Sequence, residues 1–191
     1  MEKVFVLRSH KLKYRCDREQ VIIFGRIMIG LRGFLLLAFA AALSGCVSKS
    51  VPTYTGPEVT RIVVDKGARQ MALMHQDAVL RSYDIELGFA PEGHKQFEGD
   101  GRTPEGRYYI DRRNPNSAFY LSIGISYPNT QDRAFARARG KSPGGDIFIH
   151  GTPFRNAFQS DWTAGCIAVT NAEMREIYSM VRMRTPIDIY P

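Results

Sequence analysis

Cysteine is scarce in this chain, and its placement excludes a disulfide framework. Of Cys16, Cys46 and Cys166, only Cys166 lies in the part that reads as a folded domain, so it has no partner there. A metal site lacks support for a related reason: His75, His94 and His150 show no ligand-like spacing with a second cysteine. Long apolar runs are also missing. The run FLLLAFAAAL, from Phe34 to Leu43, has ten residues. At about 1.5 Å each it falls well short of a hydrocarbon core of roughly 30 Å. Basic excess is confined to the start of the chain. Eight of the 26 Lys and Arg, but only three of the 19 Asp and Glu, fall in residues 1–45, leaving 18 basic and 16 acidic residues and a net charge of +2. That remainder has no basic block to track phosphates, so a nucleic-acid partner is not expected. Internal repeats and low-complexity tracts are absent as well.

What is present divides the chain at Cys46. The Phe34–Leu43 run is preceded by Arg26 and Arg32 and followed by Ser44-Gly45-Cys46, the layout of a secretory h-region ahead of a small-residue cleavage site. Leu43-Ser44-Gly45-Cys46 also resembles the lipobox of bacterial lipoproteins, which implies lipidation of Cys46 and a mature chain of residues 46–191. Residues 1–45 are thus expected to be a leader and signal segment, with Met28 a more usual start than Met1. Residues 46–58, rich in Ser, Thr and Pro, read as a flexible tether, and residues 59–191 as one domain large enough to bury a single core.

Strand signals dominate that domain. Val59–Asp65, Gln70–His75 and Ala78–Leu87 alternate and are separated by turn formers; Gly106–Asp111, Leu121–Ile125 and Asp146–His150 follow, with Ile187–Ile189 last. One helix is well signalled. Thr170-Asn171-Ala172-Glu173 has capping-box spacing, and Met174, Ile177, Tyr178 and Val181 then fall on one face. Thr185-Pro186 is expected to end it. The expected architecture is a mainly antiparallel β-sandwich with one helix after Cys166.

The chemistry centres on IHGTPFRNAFQSDWTAGC, from Ile149 to Cys166. A free thiol is mostly protonated at neutral pH, and a nearby imidazole can remove its proton. His150 ends a predicted strand, and the turn-rich segment after it can bring Cys166 back. Gly165 allows close backbone approach and φ > 0, and peptide N–H groups beside a nucleophile can face a developing oxyanion. Composition also supports a plain alternative, because Ile167, Ala168 and Val169 make Cys166 look like the start of a core strand. Both readings stay open on the residues alone.

His150-Gly151 followed by Trp162-Thr163-Ala164-Gly165-Cys166-Ile167 resembles the signature of the L,D-transpeptidase (YkuD-type) family, and Gly99-Asp100 with Thr103-Pro104-Glu105-Gly106-Arg107-Tyr108 is similar to the family's strand entry. The resemblance runs from about Val59 to Pro191. It implies a β-sandwich enzyme at the periplasmic face of the cell envelope that acts on peptidoglycan stem peptides without a cofactor. Cys166 would be the acylated nucleophile and His150 its base, oriented by the Gly151 carbonyl. Gly165 and Cys166 would supply oxyanion donors, and Thr163, which matches the signature's Ser/Thr, joins Trp162 and His94 as candidate oxyanion or substrate contacts. Two positions depart from the pattern: Ala164 replaces a second histidine, and Ala168 stands where many members carry arginine. Transfer to an amine, hydrolysis by the same thioester, and peptidoglycan binding without catalysis are the three functions this allows. Arg133, Arg137 and Arg139 are further candidates for meeting stem-peptide carboxylates. A lipid-anchored monomer is expected, with Val47 after Cys46 pointing toward the outer membrane.

Overall fold

Alternation sets the first strands. In the computed structural model, which describes residues 50–191, Arg61–Asp65 (β1) buries Ile62 and Val64 and Gln70–His75 (β2) buries Met71 and Leu73, so an antiparallel pair turns one apolar face inward. Ala78–Asp84 (β3) extends the meander. Gly106–Asn114 (β4), Ser122–Ile125 (β5), Phe148–Gly151 (β6), Ile167–Val169 (β7) and Pro186–Tyr190 (β8) complete the sheet, in the order β3-β2-β1-β8-β4-β5-β6-β7. β4 belongs to both halves: Gly106 to Tyr109 pair with β8, Ile110 to Asn114 with β5, and the register shifts between Ile110 and Arg112. Buried side chains from both halves join one core, including Ile62, Leu73, Ile110, Ile123, Ile149 and Ile187.

The expected fold class is borne out: the domain is mainly β, with a helix after Cys166. That helix, Asn171–Met180, carries the reciprocal Thr170–Glu173 capping box and buries Met174, Ile177 and Tyr178. It stops earlier than Thr185, because Val181 turns to extended backbone and is itself fully buried. Loss of the cap, in Thr170→Ala, is expected to cost about 1 kcal/mol in urea unfolding.

Three features were not foreseen. β1 and β8 run parallel, as do β6 and β7. A further helix, Thr130–Arg137 (α1), precedes the one at Asn171–Met180 (α2); its capping box is built from Asn129 and Asp132, a pair outside the Ser/Thr and Glu signature used on the sequence. In the described part of the expected tether, residues 50–58, no strand or helix forms, yet Val51 and Tyr54 pack against the core. That stretch is docked because those two side chains have apolar surface to bury. Cys46, the Phe34–Leu43 run and the leader lie outside the described residues.

Candidate active site

Strand register brings the two sequence candidates together. Cys166 directly precedes β7, and in the parallel β6–β7 pair His150 faces Ala168 while Ile149 faces Ile167. Side chains two residues apart share a face of a strand, so the thiol of Cys166 lies on the face of Ala168, which is the face of His150. Thiol and imidazole are therefore diagonal neighbours across adjacent strands. His150 is 3% exposed, and its Nδ1 lies 2.8 Å from the Gly151 carbonyl oxygen. A carbonyl can only accept, so Nδ1 carries the proton and Nε2 keeps its lone pair.

Burial pushes the pKa of His150 below the ordinary 6.5, and the bond to Gly151 only partly opposes it. Burial likewise pushes the Cys166 thiol up; the Phe148 N–H and the Lys95 ammonium pull it back in part, and Asp146 adds to the rise. Both shifts favour neutral forms. The resting pair is a thiol beside a neutral imidazole, and Cys166 Sγ donates weakly to the Asp146 carbonyl at 3.6 Å.

An aromatic wall closes around the imidazole. Phe119 stacks on the His150 ring with centroids 4.5 Å apart, and Trp162 meets it edge-on at 5.6 Å. The Phe119 carbonyl accepts from the Gly151 N–H at 3.0 Å, so one loop residue holds both the His150 ring and the backbone at the end of β6. Nothing in the sequence spacing marks Phe119, because it sits in a loop 31 positions before His150. Trp162 was expected at the substrate wall. Its ring lies against the base, and its Nε1 is buried without a hydrogen-bond partner among the described residues.

The cysteine loop is held by backbone. Beyond β3 the chain leaves β2 and runs beside this loop: Thr163 N donates to Leu87 O at 3.0 Å, Phe89 N to Thr163 O at 2.9 Å, and Glu86 and Ala168 exchange both bonds. The sequence reading of Ala78–Leu87 as one strand thus catches an extended segment that changes partner at Asp84. Asp161 anchors the front of the loop through Arg69 at 2.7 Å and the Leu87 N–H at 3.0 Å. Thr163 is buried, and its hydroxyl donates to Cys166 O at 2.7 Å while accepting from Gly165 N at 3.1 Å. This corrects two expectations. Thr163 staples the loop from inside, and the N–H of Gly165 is directed at Thr163 Oγ1 instead of an oxyanion.

His94 also departs from its expected place. Its Nδ1 accepts from Glu105 N at 2.9 Å, so Nε2 carries the proton toward Asp132 at 3.2 Å. Both ring nitrogens join the Thr103–Gly106 segment to α1, and neither is left for a substrate. The neighbouring Lys95 is the better-placed group: its buried ammonium pairs with Asp100 at 2.8 Å and is felt at the thiol. Ala164 is exposed and Ala168 fully buried. Among the described residues no group of three or more His, Cys, Asp or Glu is placed to hold a metal.

Residues 59–189 match the L,D-transpeptidase catalytic domain of the YkuD family. YafK of Escherichia coli K12, which carries a provisional L,D-transpeptidase name, is 29% identical over 170 residues, covering 86% of this chain and 64% of YafK. The chain thus spans about two thirds of the length of that relative. A mutant of the helical cell shape determining protein Pgp2 from Campylobacter jejuni aligns at 26% identity with a TM-score of 0.54, over 71% of this chain and 48% of Pgp2. Bd1075 of Bdellovibrio bacteriovorus shares the fold at 23% identity and a TM-score of 0.52, over 73% of this chain and 51% of Bd1075. With its domain matched almost from end to end, His150-Gly151 ending β6 and Gly165-Cys166 leading into the adjacent β7, the chain belongs to the YkuD L,D-transpeptidase family.

Proposed function

We propose that the protein is a peptidoglycan L,D-transpeptidase acting through a thioester on Cys166. The observation that carries this is the β6–β7 register, which sets Cys166 diagonal to His150, together with the Nδ1 bond to Gly151 O that leaves His150 Nε2 unprotonated. In the first half-reaction the Cys166 proton passes to His150 Nε2 as sulfur attacks the carbonyl carbon of a diaminopimelate–D-Ala bond. The C–N bond then breaks, D-Ala leaves with the proton from His150, and the acyl group stays on sulfur. An amine acceptor reverses these steps, its proton passing through His150 to restore the thiol. With Gly165 N–H held by Thr163, the Cys166 N–H is the oxyanion donor on this loop. Lipidation of Cys46 would place the domain at the periplasmic face of the envelope, and metabolic labelling with an alkyne fatty acid tests it: label on the wild type and none on Cys46→Ala is the expected result.

Incubation with disaccharide tetrapeptide tests the reaction. Release of D-Ala, a cross-linked product and a mass adduct on Cys166 are expected. Tripeptide without cross-link would instead assign the same thioester to hydrolysis, and neither adduct nor D-Ala would overturn the proposal.

The pH profile follows from the His150 environment. Its pKa is lowered, so the neutral base persists below pH 6.5, and the acid limb of kcat/KM is expected beneath that value. Folding responds in the same direction. The unfolded chain binds the His150 proton more readily than the folded one, so this contribution is whole above pH 6.5 and is lost as pH falls through the lowered pKa. Phe119→Ala, which opens the ring to water, should move the acid limb upward toward 6.5. An unmoved limb would show that stacking does not set the base.

A further inference from the structure

The segment that touches the thiol also borders a cationic groove. Asp146 O lies 3.6 Å from Cys166 Sγ, and two residues earlier Gly144 lines a groove of about 430 Å³ that Arg133, Arg137 and Lys141 also line. Two residues of extended chain span at most about 7 Å, so the Gly144 edge of the groove is one short step of backbone from the residue that contacts the nucleophile. Arg133 and Arg137 are one turn apart on α1. Gly140, at φ +64, then reverses the chain, and Lys141 N donates to Ala136 O at 3.0 Å, which folds Lys141 back toward the same side.

All three cations are exposed, and the groove lining holds no carboxylate. Among the described residues no acid pairs with any of them; Lys141 rests 4.4 Å over the Phe97 ring. Like charges one turn apart weaken a helix, so an arrangement without balancing acids gains from an anion that the chain does not supply. Arg139, the third arginine of the run, is already engaged: its guanidinium lies 3.5 Å over Phe135 and donates to the Phe135 carbonyl. Elsewhere near the thiol, Lys95 is neutralised by Asp100, and the buried Ala168 brings no charge.

We propose that Arg133, Arg137 and Lys141 form a carboxylate-binding subsite that seats a stem peptide, through its free glutamate and diaminopimelate carboxylates, in line with Cys166. The subsite rests on the stem-peptide reading above and names the groups that recognise the substrate's charge. Charge complementarity and continuity with the sulfur through Gly144 to Asp146 select this occupant.

Steady-state kinetics on disaccharide tetrapeptide would compare the full-length wild type with the triple variant R133Q/R137Q/K141Q and with R133Q/R137Q, which keeps the Lys141–Phe97 contact. The triple variant is expected to raise KM about tenfold, and the double variant somewhat less, with kcat nearly unchanged. The difference should vanish when the substrate carboxylates are amidated, and wild-type KM should rise with salt. Alkylation of Cys166 by neutral iodoacetamide should proceed equally in all three proteins, showing an intact thiol. Equal KM values, or an equal penalty on the amidated substrate, would overturn the subsite while leaving the transpeptidase reading in place. A wild type that neither releases D-Ala nor forms an adduct would overturn that reading and the subsite with it.

Discussion

Cys166→Ser should lower D-Ala release by at least about 10³-fold while leaving the fold intact. The hydroxyl of serine is a far weaker acid than a thiol, and His150 is a poor base for it, because burial has already lowered the imidazole's affinity for protons. Little structural loss accompanies the change. Cys166 is half-buried, its sulfur makes one long contact to Asp146 O at 3.6 Å, and an oxygen in its place can still donate, so the melting temperature should move by only about 1–2 °C. His150→Gln should be nearly as inactive, and the double variant no worse than either single one, because the two groups act as one unit. The reading of Cys166 as a packing residue predicts the reverse pattern: a large loss of stability in Cys166→Ser with peptidoglycan binding unchanged. Thermal unfolding and mass-spectrometric detection of the acyl-enzyme on the same preparations separate the two.

How much of this was legible beforehand depends on range. Local signals read well: β2 spans Gln70–His75 as expected, and the Thr170–Glu173 box opens α2 where the spacing placed it. His150 and Cys166 were identified because their flanking glycines are part of a short pattern. Long-range pairings were not visible. Whether Ile149 sits beside Ile167 in a parallel register is decided by the core, and the 15 residues between His150 and Cys166 hold no trace of it. Phe119 and Lys95 escaped notice for the same reason, since each reaches the site through a loop whose path is fixed by distant partners. His94 shows the converse. A histidine in a Gly-rich loop reads as a site residue, but its ring fills the gap between the Glu105 N–H and Asp132.

The second large effect should come from glycines that never touch a substrate. Gly165 has φ +123, where side chains are strained, and a Cβ there would lie 2.5 Å from the Arg102 carbonyl oxygen. Gly88 has no such φ, but its Cβ would lie 2.0 Å from Gly101 O and 2.9 Å from the Cα of Gly165. Three backbones meet here with no room between them: the 87–90 segment, the 100–102 turn and the loop that presents the thiol. Gly165→Ala combines strain of about 1–3 kcal/mol with a clash against backbone that cannot swing aside. Either change must displace the cysteine loop, and a shift near 1 Å at a reacting group can cost about 10²-fold in rate. Gly99→Ala is the control. Its φ is +77 but nothing lies within 4 Å of the position its new methyl would take, so it should lose only about 1–2 kcal/mol of stability and keep its activity. If Gly99→Ala instead loses activity while Gly88→Ala keeps it, backbone conformation rather than close approach sets the position of Cys166. Measuring kcat/KM and urea unfolding for the three variants together distinguishes these causes, because only Gly88 lacks the strained φ and only Gly99 lacks the contact.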